Sequence, residues 1–421
     1  MSKRRITLAF LSLSLLSEIC LAQTDKAKKL DEFVAPFATA NQFSGVVLAS
    51  ENGKVIYEKA FGLANADFKI PNQLNTRIGI ASITKHITVV ILNRLIEANK
   101  IALADKLNKY IPDFPNGDKI TIEMLARHRS GIPHRVMPPE AESLAYTSAE
   151  FIERVKQAKL AFEPGTNRLY SSAGYTVLAR VLEIVSAKTF AQLLDEYVFK
   201  PAGMTDSADF DGEMVMERRA QDYYLSPNGL VNVPLKNYSF LVGAGSVYGT
   251  ARDVYRFGEA VLDGKYGEGV KTSLVGETTF SGSGSTNGHR SYFEIARDKR
   301  YGYVIVSNSA GVFDLISQGV LQILQGREPS VKSFTIPKII ANPKDVAEFL
   351  GRYKRNDGTE TEIVLKNGFL HSGDIKLYPT RVDCFFEYRF FGDVCFVRDT
   401  SSKVKEIKWR GANFDFSWLK Q

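Results

Sequence analysis

The sequence predicts an α/β (α+β) protein in which strands and long helices alternate, followed by a small all-β C-terminal domain. Three observations predict it. Two β-rich runs, 43–50 and 54–61, are joined by Asn52-Gly53, a dipeptide suited to the positive φ angles of a tight hairpin. Apolar residues then recur at three- and four-residue spacing, the period of a helix with one face on a core. Beyond residue 345 the pattern turns to short β-like runs separated by signals such as Asn356-Asp357-Gly358 and Asn367-Gly368.

Taken in chain order, Lys3, Arg4 and Arg5 precede an apolar run from Ile6 to about Leu16, and Cys20-Leu21-Ala22 offers a small-x-small cleavage site before Gln23. That is the layout of a secretory signal peptide over 1–22, too short to span a bilayer comfortably and closely followed by Glu18. An exported protein, periplasmic or secreted and without a transmembrane segment after signal removal, is expected. After the hairpin, Ile83, Ile87, Val90, Ile91 and Leu95 predict a helix from about 81 to 98. The Asp-, Asn- and Pro-rich stretch 105–118 reads as a connection. Val177, Leu178, Val181, Leu182 and Val185 predict a second helix over 174–186, 282–288 is a Ser/Gly-rich strip, and Tyr303 to Ser307 reads as a strand. Pro329, Pro337 and Pro343 in a polar context mark a break. The expected organisation is a leader at 1–22, a main domain at 23–330, a linker at 331–344, and a small β-barrel-like domain at 345–421 with strands near 362–365, 384–391, 394–398 and 414–419.

Composition excludes more than it assigns. Of the 421 residues, 44% are hydrophobic and 24% charged, ordinary values for a globular chain with room for two or three domains. The formal charge of +7 falls to about +5 once three cations and Glu18 leave with the leader. No dense basic stretch interleaved with aromatics implies nucleic acid. His86, His128, His134 and His371 show no metal-ligand spacing, so neither metal nor cofactor is expected, and no Gly-x-Ser-x-Gly elbow is present. With Cys20 removed, Cys384 and Cys395 remain, either as a disulfide across neighbouring strands or as two buried thiols.

Ser82-Ile83-Thr84-Lys85 carries the chemistry. A serine at a helix start sits near the positive end of the helix dipole, and a lysine three residues on lies one turn along the same face. Burial disfavours the ammonium, so a lysine in a dry pocket can lose its proton near neutral pH and activate the hydroxyl. Alone the pattern is weak, recurring at Ser402–Lys405 and Ser417–Lys420, and a helix cap with a solvated lysine would explain it.

Its surroundings add specificity. The stretch from Ile78 to Thr88 resembles the nucleophile helix of the serine β-lactamase-like, penicillin-binding-protein-like family, which includes class C β-lactamases, DD-carboxypeptidases, and related esterases and D-amino-acid peptidases. Phe43-Ser44-Gly45-Val46-Val47 resembles its opening strands. His128-Arg129-Ser130-Gly131-Ile132-Pro133 resembles its His-Thr-Ser-Gly segment, and Tyr170-Ser171-Ser172 its second catalytic motif. Phe199 to Met204 and Gly243 to Asp253 follow in family order, over roughly 35–325 in all. The resemblance implies a β-lactamase/transpeptidase-like fold, an antiparallel sheet flanked by helices plus a mostly helical subdomain. It also implies a serine hydrolase acting on a small-molecule or peptide substrate. Carried over by position, Ser82 would be acylated, with Lys85 and Tyr170 handling protons. Gly282-Ser283-Gly284-Ser285 matches the third motif, with Ser82 and Ser285 giving the backbone donors of an oxyanion hole and Ser172, Ser283 and Gly284 lining it.

Two positions depart from the pattern. Ser172 stands where the family has asparagine, and Gly282 where it has lysine or histidine. Arg290 or His289 could stand in for the latter. The departures argue against an efficient β-lactamase and less against an esterase or D-peptide hydrolase. A relative that has lost catalysis and binds peptidoglycan fragments or a protein partner is the alternative.

Overall fold

Asn52 and Gly53 both take positive φ, 52° and 74°, and fold strand β1 (Gly45–Glu51) back on β2 (Lys54–Phe61). A computed structural model describes residues 25–276, 278–331, 337–340, 346–356, 358–411 and 414–421. The expected leader lies outside these residues, as does most of the expected linker. The described residues divide into two compact units, one of 25–28, 44–222 and 233–308, the other of 29–43, 223–232 and those described from 309 on.

In the first unit β1 is central and buried from Gly45 to Ser50. The strands β3 (Thr279–Ser285), β4 (Arg290–Ala296) and β5 (Tyr301–Ser307) complete an antiparallel sheet in the order β3-β4-β5-β1-β2. β5 is buried along its whole length, as its Val/Ile content requires of a strand covered on both faces. The Ser/Gly strip is therefore not a loop: 282–285 are ordered in β3, at the edge of the sheet.

Three helices matter for the site: α1 (Ile83–Glu97), α2 (Ser172–Ser186) and α3 (Ala251–Leu262). Ile83, Ile87, Val90, Ile91 and Leu95 of α1 join Val177, Leu178, Val181 and Leu182 of α2 in one core with Val46, Val304 and Val306 of the sheet. Each such fully buried aliphatic side chain contributes about 1.5–3 kcal/mol, which anchors α1 far more firmly than its intrinsic propensity. Gly258 lets α3 lie flat on β4, because a Cβ there would fall 2.5 Å from Ile295 Cδ1.

The second unit carries a barrel-like, nine-stranded antiparallel sheet between Gly351 and Lys420, closed around Phe349, Tyr353, Ile363, Phe385, Phe396, Trp409 and Trp418. Cys384 and Cys395 face each other on paired strands and form a disulfide. One expected strand is shorter than the sequence suggests: the run from Cys384 ends at Glu387. The wholly buried Glu387 carboxylate accepts the N–H groups of Arg389 (2.8 Å) and Phe390 (3.0 Å), and Trp409 Nε1 lies 3.4 Å from its other oxygen. Those bonds turn the chain at Tyr388–Phe391 despite its aromatic, strand-like composition, since β-propensity reports packing opportunity more than backbone preference. Among the described residues no helix is long and apolar enough to cross a membrane.

Candidate active site

Ser82 occupies the N-cap of α1 at φ −64°, ψ −8°, and its side chain makes no capping hydrogen bond, so the hydroxyl is not spent on the helix. The residue before it, Ala81, is held at φ 48°. That left-handed conformation costs a side-chain-bearing residue about 1–3 kcal/mol and persists only where the surroundings impose it. Ile80 N–H bonds Val247 O at 2.9 Å on one side, and α1 is locked into the core on the other.

One turn along, Lys85 is only 5% exposed. Its Nζ lies 3.2 Å from Ser82 Oγ and donates to Ala244 O at 2.7 Å, above the rings of Tyr170 (4.8 Å) and Tyr175 (5.8 Å). Burial lowers its pKa from 10.5 to about 7, so near neutral pH a large share of the amine is unprotonated. The Tyr170 hydroxyl donates to Ser82 Oγ at 2.7 Å. Tyr170 as a residue is 44% exposed, yet loss of water around the phenol still pushes its pKa above the ordinary value. Near neutral pH the amine is therefore free to accept a proton, whereas the phenol carries one.

The edge strand β3 runs against this group. A Cβ on Gly284 would lie 2.2 Å from Ile80 O and 2.9 Å from Ser82 N, so only glycine lets the strand approach Ser82 so closely. Thr286 N–H bonds His289 O toward the neighbouring strand. Because successive N–H groups of a strand point to opposite sides, Ser285 N–H is turned to the outer edge of the sheet. Ser283 and Ser285 lie on the exposed face of β3. Ser172 is buried beside Tyr170.

Gly282 has a reason beyond the missing lysine. Its open face meets His86 of α1 and Phe293: a Cβ would lie 2.9 Å from His86 Cε1 and 2.7 Å from Phe293 Cε1. His86 is neutral there, burial and the nearby Lys85 pushing its pKa to about 4. His289 does not stand in for the missing lysine. It is 1% exposed, boxed by Tyr248 (5.2 Å) and Tyr238 (6.1 Å), with Nδ1 3.6 Å from Asp222 Oδ2. Arg290 is half-buried on β4, opposite Ser285.

Sequence reasoning missed two groups that touch the Tyr170 segment. His128 Nδ1 accepts Ser171 N–H at 3.1 Å and His134 Nδ1 accepts Ser172 N–H at 3.2 Å. His128 had a signal as the first residue of the segment resembling the His-Thr-Ser-Gly motif, but its contact with Ser171 was not legible; His134 had only its placement six residues on, past the Ser130-Gly131-Ile132-Pro133 turn. Ala244 O, which anchors Lys85, is a backbone atom and carries no side-chain signal. Among the described residues no group of His, Cys, Asp and Glu is arranged to hold a metal.

The Beta-lactamase family model matches residues 30–325. A protein named for penicillin binding, PbpX of Bacillus subtilis (strain 168), is 29% identical over 249 residues, 59% of this chain and 61% of its own length. A teichoic acid D-alanine hydrolase of Staphylococcus aureus (strain MRSA252) is 28% identical over 248 residues, 57% of this chain and 59% of its own. The match thus spans about three fifths of the length of these curated relatives. The crystal structure of FmtA from Staphylococcus aureus superposes with a TM-score of 0.63 at 22% identity, covering 72% of this chain and 88% of that one, a likeness of fold.

Proposed function

Because the chain belongs to the beta-lactamase family, a family of serine hydrolases, we propose that it cleaves an ester, amide or peptide bond, D-amino-acid-containing bonds included, through a Ser82 acyl-enzyme. The observation that carries this reading is the convergence on Ser82 Oγ of a buried amine at 3.2 Å and a phenol at 2.7 Å.

In the proposed reaction neutral Lys85 takes the Ser82 proton as Oγ attacks the substrate carbonyl carbon. The oxyanion forms facing the N–H groups of Ser82 and Ser285, where one preorganised donor is worth roughly 3 kcal/mol of barrier. Tyr170 passes its proton to the leaving oxygen or nitrogen as that bond breaks, and is reprotonated from Lys85. Water then enters, gives a proton to the same pair, and attacks the ester carbonyl; Ser82 leaves with a proton and the acid product departs. Tyr170 meets its requirement as the acid by staying protonated at neutral pH.

Ester or D-peptide hydrolysis is favoured over β-lactam turnover, since Gly282 lacks the lysine or histidine side chain, and Ser172 the asparagine amide, that the resemblance leads one to expect. The teichoic acid D-alanine hydrolase among the relatives keeps D-alanyl esters within the candidate class. Export to the cell envelope, through the 1–22 leader, belongs to the same proposal. Intact-mass analysis after incubation with a fluorophosphonate or a penicillin tests it. An adduct on the wild type and none on Ser82→Ala is the expected result. No adduct together with no ester turnover would move the assignment to a binding relative.

A further inference from the structure

Tyr170 sits in a short extended segment whose backbone is gripped from one side. His128, held at φ 59°, accepts Leu169 N–H with its carbonyl oxygen at 3.0 Å and Ser171 N–H with Nδ1 at 3.1 Å, and so brackets Tyr170 between two bonds. Pro133 O accepts the Ser171 hydroxyl at 3.1 Å, and His134 Nδ1 accepts Ser172 N–H at 3.2 Å. Ser171 Oγ also receives Gly174 N–H at 2.8 Å, which fixes the first turn of α2. The Tyr170 ring packs near both imidazoles, 4.6 Å from that of His128 and 5.4 Å from that of His134.

We propose that His128 and His134 form an acceptor clamp that positions Tyr170 on Ser82, with His134 as its outer, separable half. The proposal rests on the Ser82–Lys85–Tyr170 reading above and adds two positioning residues to it. The chemistry of the clamp is specific. An imidazole can accept an N–H only on an unprotonated nitrogen, so each ring must be neutral and carry its hydrogen on Nε2. Loss of water around the ring nitrogens, with Lys85 as the next contribution, lowers both pKa values to about 4, consistent with that state. The two rings differ in what depends on them. His128 is 8% exposed and touches Tyr175 as well, so its loss would disturb the core. His134 is exposed, and its bond to Ser172 N–H is its single hydrogen bond among the described residues. Without that acceptor the first N–H of α2 turns to water and the segment carrying Tyr170 loses one of its four ties.

The experiment measures Ser82 acylation by a fluorophosphonate, and kcat and KM for a p-nitrophenyl ester, in the full chain. The variants are Ser82→Ala, His134→Ala, His134→Asn and His134→Gln. Asparagine places its carbonyl oxygen where Nδ1 lies, whereas the longer glutamine reaches toward Nε2. His134→Ala should lower the acylation rate and kcat about 10- to 100-fold, with KM within about threefold, as displacement of a reacting group does. His134→Asn should recover most of that loss and His134→Gln little of it, with all three melting near the wild-type temperature. Equal recovery by Asn and Gln, or a raised KM at unchanged kcat, would overturn the clamp. If the wild type labels at Ser82 and His134→Ala labels equally fast, the clamp alone falls. If the wild type takes no label, the Ser82 reading falls first and the clamp with it.

Discussion

Replacing Lys85 by methionine should abolish acylation of Ser82 and stabilise the fold at the same time, by an amount that depends on pH. The amine is 5% exposed, and burial lowers its pKa from 10.5 to about 7. A lysine whose folded pKa lies below its unfolded one binds fewer protons when folded across that interval. Stability therefore rises as pH climbs from about 7 to about 10.5, and the full cost is present below about 7. At about 1.4 kcal/mol per pH unit, the cost is about 5 kcal/mol at pH 6 and about 2 kcal/mol at pH 9. Methionine has a similar volume and no charge to desolvate. It leaves Ala244 O without its 2.7 Å donor, an offset of about 1–3 kcal/mol that does not vary with pH. The signature is thus the change in the difference between the two proteins. Urea midpoints should show the advantage of Lys85→Met narrowing by about 3 kcal/mol from pH 6 to pH 9. In parallel, wild-type acylation should rise about tenfold per pH unit below about 7 and level off above it. A stability difference that ignores pH, or an acylation limb centred near the ordinary lysine value, would refute the buried neutral amine.

Two further outcomes follow from the geometry. Gly282→Lys alone should destabilise by about 1–3 kcal/mol, because its Cβ collides with Phe293 and His86. His86→Ala in the same chain should relieve part of this, giving a coupling of at least about 0.5 kcal/mol in a double-mutant cycle of thermal melts; additive effects would show that His86 does not hold the space. Replacing Cys384 and Cys395 by alanine opens a cross-link of 11-residue separation, and the C-terminal sheet should lose about 3 kcal/mol by denaturant titration while Ser82 labelling persists.

The legibility of the chain varies with the kind of signal. The hairpin, α1, α2 and β5 were readable because period and turn chemistry are local properties, and α1 was misplaced by only a residue or two at each end. The strip at 282–285 was ambiguous, since Ser and Gly favour loops; it became a strand because β4 pairs with it and Gly284 alone fits against Ser82 N. The run after Cys384 misled in the other direction, because a buried carboxylate reaching Arg389 and Phe390 is invisible to propensity.

By itself the sequence determined the inventory: a serine and a lysine one turn apart at a helix start, a tyrosine in a matching motif, and glycines in an edge-strand motif. The tertiary structure decided what those groups can do. Packing across 88 residues of chain brings the Tyr170 hydroxyl to Ser82, desolvation by the surrounding core lowers the pKa of Lys85 to about 7, and the approach of His86 explains the glycine at 282. The physical reason is that helix period and capping act between neighbours in sequence, whereas desolvation, close approach and strain at Ala81 exist only once distant segments have packed.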